Sequence, residues 1–489
     1  MNSMKEFKTV EEVHNHAKKA VGKTVLELNN FKTTKQSKSS VGDAFENWFG
    51  KKKDSSGKPD MEEAGVELKA TPFKRLKSGK FSAKERLVLN IINYHDTAKE
   101  TFEDSHFLFK NKRIEIAFYE YLQNKPKDEW TIYETVLYEM SKNPKDFEVI
   151  KNDWEKINEY VKKGKAHELS ESLTNYLAPC TKGANANSVR TQPFSDVPAK
   201  QRAYSLKGSY MTSILRKYIF GDEKSESIIK DPFDLANKDI ETIVLERFKH
   251  YVGWGIEDLK KHFGIEEKSK QINYRIAAAI LDLKGKYSTD NAFKKVDEFE
   301  KASIILKTIR FNEKNVNDQS MSFPAFNFQE LSSESWINEN GEPEAEWHNF
   351  LLDARFLFFV VKSENGKDYF KGVKFFSIPE HDLQGPIKYV WEDTVRKLNK
   401  GVKLKAVPWG KNIRIENNFI QKSDDLICHV RPHETKSDYS ENGKYADKLP
   451  NKIQWTNKPR DHKYSDFWMT KQSFWLNNDY IKKQVEDLL

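Results

Sequence analysis

Three charged residues are spaced in a way that suits hydrolysis of a phosphate ester. Asp60, Glu67 and Lys69 form a D-x6-E-x-K pattern. Because side chains alternate across a strand, Glu67 and Lys69 are predicted to face one side while the apolar residues around them face a core. Gly65 can supply the turn that returns the chain past Asp60. Two carboxylates so placed can hold Mg²⁺, and the Lys69 ammonium beside them can orient or help deprotonate an attacking water.

The pattern alone is weak, because a chain of this composition yields about 0.4 such matches by chance. A charged hairpin on the protein surface could carry the same pattern of residues. The flanking segments strengthen the interpretation. Residues 38–50 are typical of an amphipathic helix, and Glu46 beside its apolar stripe can supply a third carboxylate. Downstream, residues 109–113 begin a predicted strand with closely spaced cations, and the lysine run 51–53 is either solvated surface or a phosphate contact.

The order of these residues resembles the MutH branch of the PD-(D/E)xK nucleases, from about residue 15 to residue 218. The matching positions are Lys38, Val41, Gly42, Glu46, Gly50, Asp60, Gly65, Val66, Glu67, Leu68, Lys69, Ser105, His106, Lys110, Lys112, Arg113, Asp153–Glu155, Lys182–Ala186, Tyr204–Lys207 and Leu215. The resemblance therefore covers the whole first half of the chain.

The resemblance implies roles for individual residues in a catalytic centre. Asp60 and Glu67 would be the metal ligands for Mg²⁺, with Glu46 as an auxiliary carboxylate. Lys69 would be the catalytic lysine, and Lys110 a further lysine near the scissile phosphate.

The resemblance also implies a DNA-binding set. The loop from Lys182 to Asn185 would enter a groove, with Lys182 near the bases, and Ser205 and Lys207 would complete the set. Cys180 stands where mismatch-repair members have an arginine, and Ser205 where they have a tyrosine that senses adenine methylation. The residues that read the bases, and the sensitivity of cutting to adenine methylation, are therefore left open.

The implied activity is that of a type II restriction endonuclease that cuts double-stranded DNA at GATC with Mg²⁺ as cofactor. The alternatives are a mismatch-repair-type GATC strand nickase and a non-catalytic DNA-binding protein. The intact set of Asp60, Glu67 and Lys69 argues against a non-catalytic DNA-binding protein. The second half of the chain argues against a strand nickase, which needs only one domain. GATC is palindromic, so DNA-induced self-association is expected for cutting both strands.

The chain has the features of a distant internal duplication. A short polar segment around residues 221–227 divides it into halves of similar size. Four segments of the first half have counterparts in the second, in the same order, at offsets between 231 and 242: Val21–Leu28 with Val252–Leu259, Lys35–Gly50 with Lys270–Gly285, Val66–Ala70 with Ile304–Thr308, and Arg113–Tyr119 with Arg355–Val361.

The predicted fold is α/β with mixed sheets of the α+β kind, in two tandem MutH-like restriction-endonuclease-fold domains. Residues 1–220 form the predicted catalytic domain, 221–233 a linker, and 234–489 a degenerate domain for DNA binding and allosteric regulation. In the repeat register, Ile305 replaces Glu67 and Leu281 replaces Glu46. The basic segments that hold Arg431 and Lys471 are predicted to bind an effector DNA; a purely structural copy is the alternative.

Composition excludes several other classes of protein. The 489 residues include 37% hydrophobic side chains, enough for real cores. A net charge of +8 agrees with a polyanionic partner without requiring one. Apolar runs are too short for a membrane span, and two cysteines cannot build a disulfide framework or a four-cysteine zinc site. A reducing cytoplasm is therefore expected, with no membrane partner. No nucleotide cofactor is expected, since Ala17 occupies the first glycine position of a P-loop ending at Gly22-Lys23-Thr24.

Overall fold

The chain forms two compact units that are not continuous in sequence. The structure, a computed structural model, describes residues 6–37, 39–51, 56–76, 79–122, 124–183, 188–221, 225–266, 271–317, 319–338, 341–410 and 412–489. Unit 1 takes its described residues from 1–247, 278–305 and 353–355, and unit 2 from 248–277, 306–352 and 356–489. No helix in these residues is long and apolar enough to cross a membrane.

The first half alternates short helices with strands. In chain order its elements are α1 Val10–Lys18, α2 Val25–Leu28, α3 Ser40–Trp48, β1 Glu67–Arg75, β2 Phe81–Ala83, β3 Leu87–Ile91, α4 Tyr94–Thr97, α5 His106–Asn111, β4 Arg113–Glu120, β5 Ile132–Glu139, α6 Pro144–Lys162, β6 Leu177–Thr181, β7 Val189–Gln192, β8 Ser195–Lys200, β9 Arg202–Leu206 and α7 Gly208–Leu215. The predicted helix at residues 38–50 is α3, and the predicted strand after Gly65 is β1.

The second half follows a similar order. Its elements are α8 Ile240–Lys249, α9 Ile256–His262, α10 Ile272–Ile280, α11 Asp290–Phe293, α12 Asp297–Lys301, β10 Ile304–Phe311, β11 Met321–Ser322, α13 Phe328–Ser333, α14 Glu346–Asp353, β12 Arg355–Glu364, β13 Lys367–Phe376, α15 Glu380–Asp382, α16 Lys388–Lys400, β14 Lys403–Trp409, β15 Asn412–Asn417, β16 Cys428–Pro432, β17 Ala446–Lys448, β18 Gln454–Trp455, β19 Trp468–Thr470, β20 Gln472–Leu476 and α17 Asn478–Val485. The predicted mixed α/β architecture is confirmed.

A mixed sheet in unit 1 carries the predicted catalytic strand. Its strand order is β2-β1-β4-β5, with β1 parallel to β4 and antiparallel to β2. Val66 and Leu68 are buried below this strand together with Val41 and Phe45 of α3. Burial of these side chains fixes the register of β1, so that Glu67 and Lys69 share the other face. A second sheet, β3-β9-β6, carries Ser205 of the predicted DNA-binding set on β9.

The sheets of the second half have the same strand orders as those of the first. The order β10-β12-β13 corresponds to β1-β4-β5, and β11-β20-β16 corresponds to β3-β9-β6. The outer pairs agree in direction, because β4–β5 and β12–β13 are both antiparallel. The remaining sheets of this half are β15-β14-β18 and β17-β19.

Two corresponding glycines dock in the same way, one within each unit. Gly22 has φ +80° and its N–H donates to the Ile132 carbonyl at 2.8 Å. Gly253 has φ +87° and its N–H donates to the Phe370 carbonyl, also at 2.8 Å. In both places the strand residue donates back to the residue after the glycine, at 3.0 and 2.9 Å. This shared geometry, together with the strand orders, supports the duplication inferred from sequence.

The boundary between the units differs from the predicted linker at 221–233. Residues 278–305 belong to unit 1 because Lys301 on α12 is buried against α6. Its Nζ lies 2.7 Å from Asp146 Oδ1 and 2.8 Å from Asp297 Oδ2. Tyr210 of α7 donates to the other oxygen of Asp146 at 3.1 Å. As limits of the two repeats, the predicted ranges 1–220 and 234–489 stay a prediction.

Candidate active site

A tight hairpin brings Asp60 and Glu67 together. Met61 and Val66 pair as an isolated antiparallel bridge, and Gly65 has φ +63°, a value that favours glycine at the turn. The Leu68 N–H donates to Asp60 Oδ2 at 3.0 Å, and the Asp60 N–H donates to Glu67 Oε2 at 3.3 Å. Backbone hydrogen bonds therefore aim both carboxylates at one place, as the spacing predicts.

Three lysines balance the charge of this pair. Lys69 Nζ donates to Glu67 Oε1 at 2.7 Å, and Lys110 Nζ lies 3.7 Å from the same oxygen. Lys51 Nζ lies 3.2 Å from Asp60 Oδ1. The Glu67 side chain is only 2% exposed, so its charge depends on these neighbours. The predicted lysines Lys69 and Lys110 are in place, and Lys51 adds a third.

Glu46 belongs to the same electrostatic cluster. Burial raises the pKa of Glu46 to about 7, and the nearby Asp60 carboxylate adds to the rise while Lys69 opposes it. Burial also raises the pKa of Glu67, partly offset by Lys69 and reinforced by Asp60. Two carboxyl groups with raised pKa values beside a third are an arrangement that a bound cation would stabilise in the charged form.

The donor set suits Mg²⁺. Asp60 and Glu67 offer hard carboxylate oxygens, and Mg²⁺ usually binds one or two protein carboxylates and keeps water in its other positions. In the described part of the chain, no three His, Cys, Asp or Glu side chains are grouped as a complete ligand set. The two predicted ligands with Glu46 nearby therefore match an open catalytic site better than a closed structural one.

Helix α5 holds the loop that leads to Asp60. Lys110 Nζ donates to the Ser56 carbonyl at 3.1 Å, and His106 Nε2 lies 2.5 Å from the Gly57 carbonyl. His106 and Lys110 are four residues apart and so share a face of the helix. Sequence reasoning placed His106 among the matching positions without giving it a role.

A buried acid–base pair on β4 was also missed. Glu115 is fully buried, and its carboxylate lies 3.0 Å from His14 Nδ1 on α1. Burial raises the pKa of Glu115, and His14 opposes the rise. The available sequence signal was a glutamate in the middle of the apolar strand 113–119.

Two sequence comparisons place the chain in a family. The family described as DNA mismatch repair enzyme MutH matches residues 49–153, which contain Asp60, Glu67, Lys69 and Lys110. The chain is also 64% identical over 494 residues to the type II restriction enzyme Sau3AI of Staphylococcus aureus, covering 99% of this chain and 100% of that enzyme. The chain belongs to the MutH-like type II restriction endonucleases. Members of this family are site-specific deoxyribonucleases that act on double-stranded DNA with a divalent metal ion.

The DNA-binding residues expected for a MutH-like restriction endonuclease are only partly accessible. Lys182 follows β6 and is half-buried, and its N–H donates to the Gln201 carbonyl at 2.9 Å. Asn185 lies outside the described residues. Ser205 and Lys207 are fully buried. The Ser205 hydroxyl donates to the Ala178 carbonyl at 3.2 Å, and Lys207 Nζ donates to the Thr174 carbonyl at 2.7 Å.

Ser205 and Lys207 thus have internal partners, and their assignment to DNA contact stays a prediction. Burial lowers the pKa of Lys207 to about 8, as expected for an ammonium removed from water. The family resemblance covered residues 204–207 but could not show that Ser205 and Lys207 are buried.

The predicted effector residues meet at one end of the paired strands β16 and β20 in unit 2. Arg431 is exposed, and its guanidinium carbon lies 4.4 Å from the ring centre of Trp475. Lys471 immediately precedes β20. Its carbonyl accepts from the His433 N–H at 3.1 Å, and its Nζ lies 3.7 Å from Glu434. The pairing of Cys428 with Leu476 repeats that of Leu177 with Leu206, which aligns Arg431 with Cys180.

The second copy keeps the framework of a MutH-like restriction endonuclease without its acids. Ile305 occupies the position of Glu67 on the corresponding strand β10. Glu298, which stands at the position of Asp60 in the same register, accepts the N–H groups of Ile228 at 2.9 Å and Ile229 at 3.1 Å. The Glu298 carboxylate is buried and already accepts hydrogen bonds from the segment at Ile228 and Ile229. It is therefore not positioned to bind a metal ion.

Proposed function

We propose that the chain cuts double-stranded DNA at GATC by Mg²⁺-dependent hydrolysis of one phosphodiester bond in each strand. The observation that carries the proposal is the convergence of Asp60, Glu67 and Lys69 on one side of β1, with Glu67 Oε1 2.7 Å from Lys69 Nζ. Full-length similarity to a type II restriction enzyme supports the same reading.

Each residue of the centre has a distinct task in this proposal. Asp60 and Glu67 would hold Mg²⁺, which supplies positive charge at the phosphate and makes water a better nucleophile. Lys69, fixed by Glu67, orients the attacking water and offsets negative charge on the phosphate oxygens. Lys110, which already reaches Glu67 and the Ser56 carbonyl, adds a second ammonium on the phosphate side.

Proton transfer falls to Glu46. With a pKa of about 7, its carboxyl group is half ionised near neutral pH and is suited to accept a proton from water. The water oxygen bonds to phosphorus, the bond from phosphorus to the 3′ oxygen breaks, and that oxygen leaves as a hydroxyl after protonation by solvent. The products then carry 5′-phosphate and 3′-hydroxyl ends.

Cutting both strands of a palindrome requires two catalytic centres in two-fold relation or two visits by one. Each chain carries one intact acidic centre in its described residues. We therefore propose that chains are monomeric without DNA and pair on DNA.

The second half is proposed to bind a further GATC copy and to favour the active arrangement of the first half. Arg431 and Lys471 lie at the strand end that corresponds to the predicted DNA-binding end of the first half. Such coupling must be reciprocal, so DNA bound to either half tightens the binding of DNA to the other.

A GATC strand nickase is the second candidate, and the match to the mismatch repair family favours it. A nickase would convert supercoiled plasmid only to the open circle. The full-length relative argues for the restriction activity instead.

One assay separates these functions. Supercoiled plasmid with a single GATC site is incubated with the full-length chain in Mg²⁺ or in EDTA. Linear product in Mg²⁺ alone supports the restriction activity, and open circle as the end product supports the nickase. Glu67→Gln, which removes one ligand charge with little change in shape, is the control that ties the activity to this centre. Cutting by that variant at the wild-type rate would overturn the site.

A further inference from the structure

Unit 2 contains a β-ribbon in an interval where the described residues of the first half have no strand. Strands β14 and β15 pair antiparallel from Leu404–Asn417 to Trp409–Asn412, and Gly410 in the turn has φ +56°. In the first half, the chain between α6 and β6 is fully described and contains no strand. The corresponding interval between α16 and β16 holds the whole ribbon. The ribbon therefore has no counterpart in that interval of the first half, and we call residues 403–417 the basic ribbon.

Only the base of the basic ribbon is joined to a third strand. β18 pairs with Lys403 and Leu404. Two residues further along β14, Ala406 is bound by the Asn457 side chain, which accepts from the Ala406 N–H at 2.8 Å and donates to the Ala406 carbonyl at 2.6 Å. β15 is an edge strand of this sheet. The outer part of the ribbon is thus a two-stranded structure with exposed sides.

One face of the basic ribbon combines cations with an exposed aromatic ring. Lys405, Val407 and Trp409 alternate onto this face, and Arg414 lies opposite Val407. Trp409 is 61% exposed, and the Arg414 guanidinium carbon lies 4.6 Å from its ring centre. Arg414 also pairs with Glu416. The ring is therefore held in place by the ribbon yet largely open to solvent.

The charge of the basic ribbon and its small exposed apolar area indicate which class of partner it binds. Residues 403–417 contain four basic residues and one acidic residue, which suits a polyanion. The other large exposed apolar side chain, Ile413 at 52%, lies on the opposite face beside Pro408. A lone aromatic residue among cations offers too little apolar area for a stable protein interface or for burial in a lipid surface. The major groove of DNA, in contrast, admits a two-stranded β-ribbon.

We propose that the basic ribbon enters a groove of duplex DNA bound by the second half, with Lys405 and Arg414 on phosphates and Trp409 against the groove wall. This proposal rests on the proposed DNA binding of the second half and names its contact surface. It concerns a different place from Arg431 and Lys471.

Site-specific photocrosslinking tests the contact directly. Trp409 or, as the matched control, Ile413 is replaced by p-benzoylphenylalanine in the full-length chain, which is irradiated in EDTA with a labelled GATC duplex. The proposal expects DNA label on the chain substituted at position 409 and little at position 413, because only the first faces the groove. Equal labelling from both positions overturns the proposal. So does crosslinking from position 409 to a second chain or to anionic phospholipid vesicles in place of the duplex.

Salt dependence gives an independent measurement. Lys405→Gln should reduce the slope of log Kd against log salt by about 1, the change for one lost phosphate contact. Glu416→Gln, the residue opposite Lys405 in the ribbon, is the control and should not reduce it. An unchanged slope for Lys405→Gln contradicts the proposal. If a GATC oligonucleotide fails to stimulate wild-type cleavage while position 409 still crosslinks, the regulatory role fails and the ribbon contact stands.

Discussion

Lys51 Nζ lies 3.2 Å from Oδ1 of Asp60, and both side chains are nearly buried, at 13% and 11% exposed. The first lysine of a run that could have been plain surface is therefore part of the acidic centre. A divalent cation that binds Asp60 must share its carboxylate with this ammonium or displace it.

Removing Lys51 should strengthen metal binding while weakening DNA binding. Lys51→Gln deletes one positive charge beside the metal site, and we expect the Kd for Mg²⁺ without DNA to fall by roughly tenfold. Calorimetric titration of the full-length chain measures this. Lys58→Gln is the control, because Lys58 pairs with Glu62 at 2.8 Å on the surface, where ion pairs have little effect. Equal metal affinity in Lys51→Gln and wild type would show that Lys51 does not act on the site.

Metal binding should depend on pH through Glu46. Its pKa is raised to about 7 by burial and by Asp60, so the carboxyl group is protonated below pH 7 and charged above it. Mg²⁺ affinity and cleavage rate should therefore both rise as the pH increases through about 7. Stability without metal should change in the opposite direction between about pH 4.5 and 7, because the folded state then binds more protons than the unfolded state. Thermal melts across this range measure the effect, and Glu46→Gln should flatten both profiles; a profile unchanged in that variant would assign the titration elsewhere.

The ligand carboxylates should matter for chemistry and little for folding. Asp60→Asn and Glu67→Gln are each expected to lower the cleavage rate by at least about 10³-fold, as loss of electrostatic stabilisation in an enclosed site does. Lys69→Ala should be inactive for the same reason. Glu67→Gln should melt at or above the wild-type temperature, because burial has already raised the pKa of Glu67 and its charge is costly to keep. A Glu67→Gln variant that is unfolded by circular dichroism would instead make Glu67 a structural residue.

Lys207 and Lys182 should behave in opposite ways. Lys207→Ala removes a fully buried side chain and its hydrogen bond to Thr174, and a loss of about 2–4 kcal/mol in the free energy of unfolding is expected. Lys182→Ala, on the half-buried loop position, should leave the melting temperature unchanged and weaken DNA binding. Denaturant unfolding and fluorescence anisotropy measure the two effects. Full stability together with lost DNA binding in Lys207→Ala would instead support its assignment to DNA contact.

Arg431 tests regulation by the second half. Plasmids with two GATC sites should be cut faster than plasmids with one, and a GATC oligonucleotide should stimulate cutting of the latter. Arg431→Ala should reduce this stimulation without changing the slow rate on a single site, because Arg431 is exposed over Trp475 and lies in unit 2. If one-site and two-site plasmids are cut at equal rates and the oligonucleotide only competes, the second half is structural.

The sequence predicted the features of the candidate site that depend on spacing along the chain. Glu67 and Lys69 share a face because strand alternation requires it, and Asp60 returns to Glu67 because Gly65 makes the turn. The strands β4 and β12 were visible from their apolar runs. Local pattern could not show contacts between distant segments, such as that of Lys51 with Asp60 or His106 with Gly57, because these depend on how loops pack.

The same limit applies to Ser205 and Lys207. The family resemblance placed both in the DNA-binding set, but exposure is set by the whole fold. Ser205 lies in β9 and Lys207 directly follows it, and both side chains are fully buried. The burial of Lys301 could not be predicted from the sequence either, because its partner Asp146 lies 155 residues away along the chain.

The buried Lys301–Asp146 pair has a consequence for how the enzyme is made. Domains usually fold as units, in the order in which they leave the ribosome. Unit 1 takes in residues 278–305 and 353–355, so the nuclease centre can be encoded by the first half of the message and still lack part of its supporting unit until residue 355 emerges. A partly synthesised chain therefore carries all the proposed catalytic residues before the rest of unit 1 has been made.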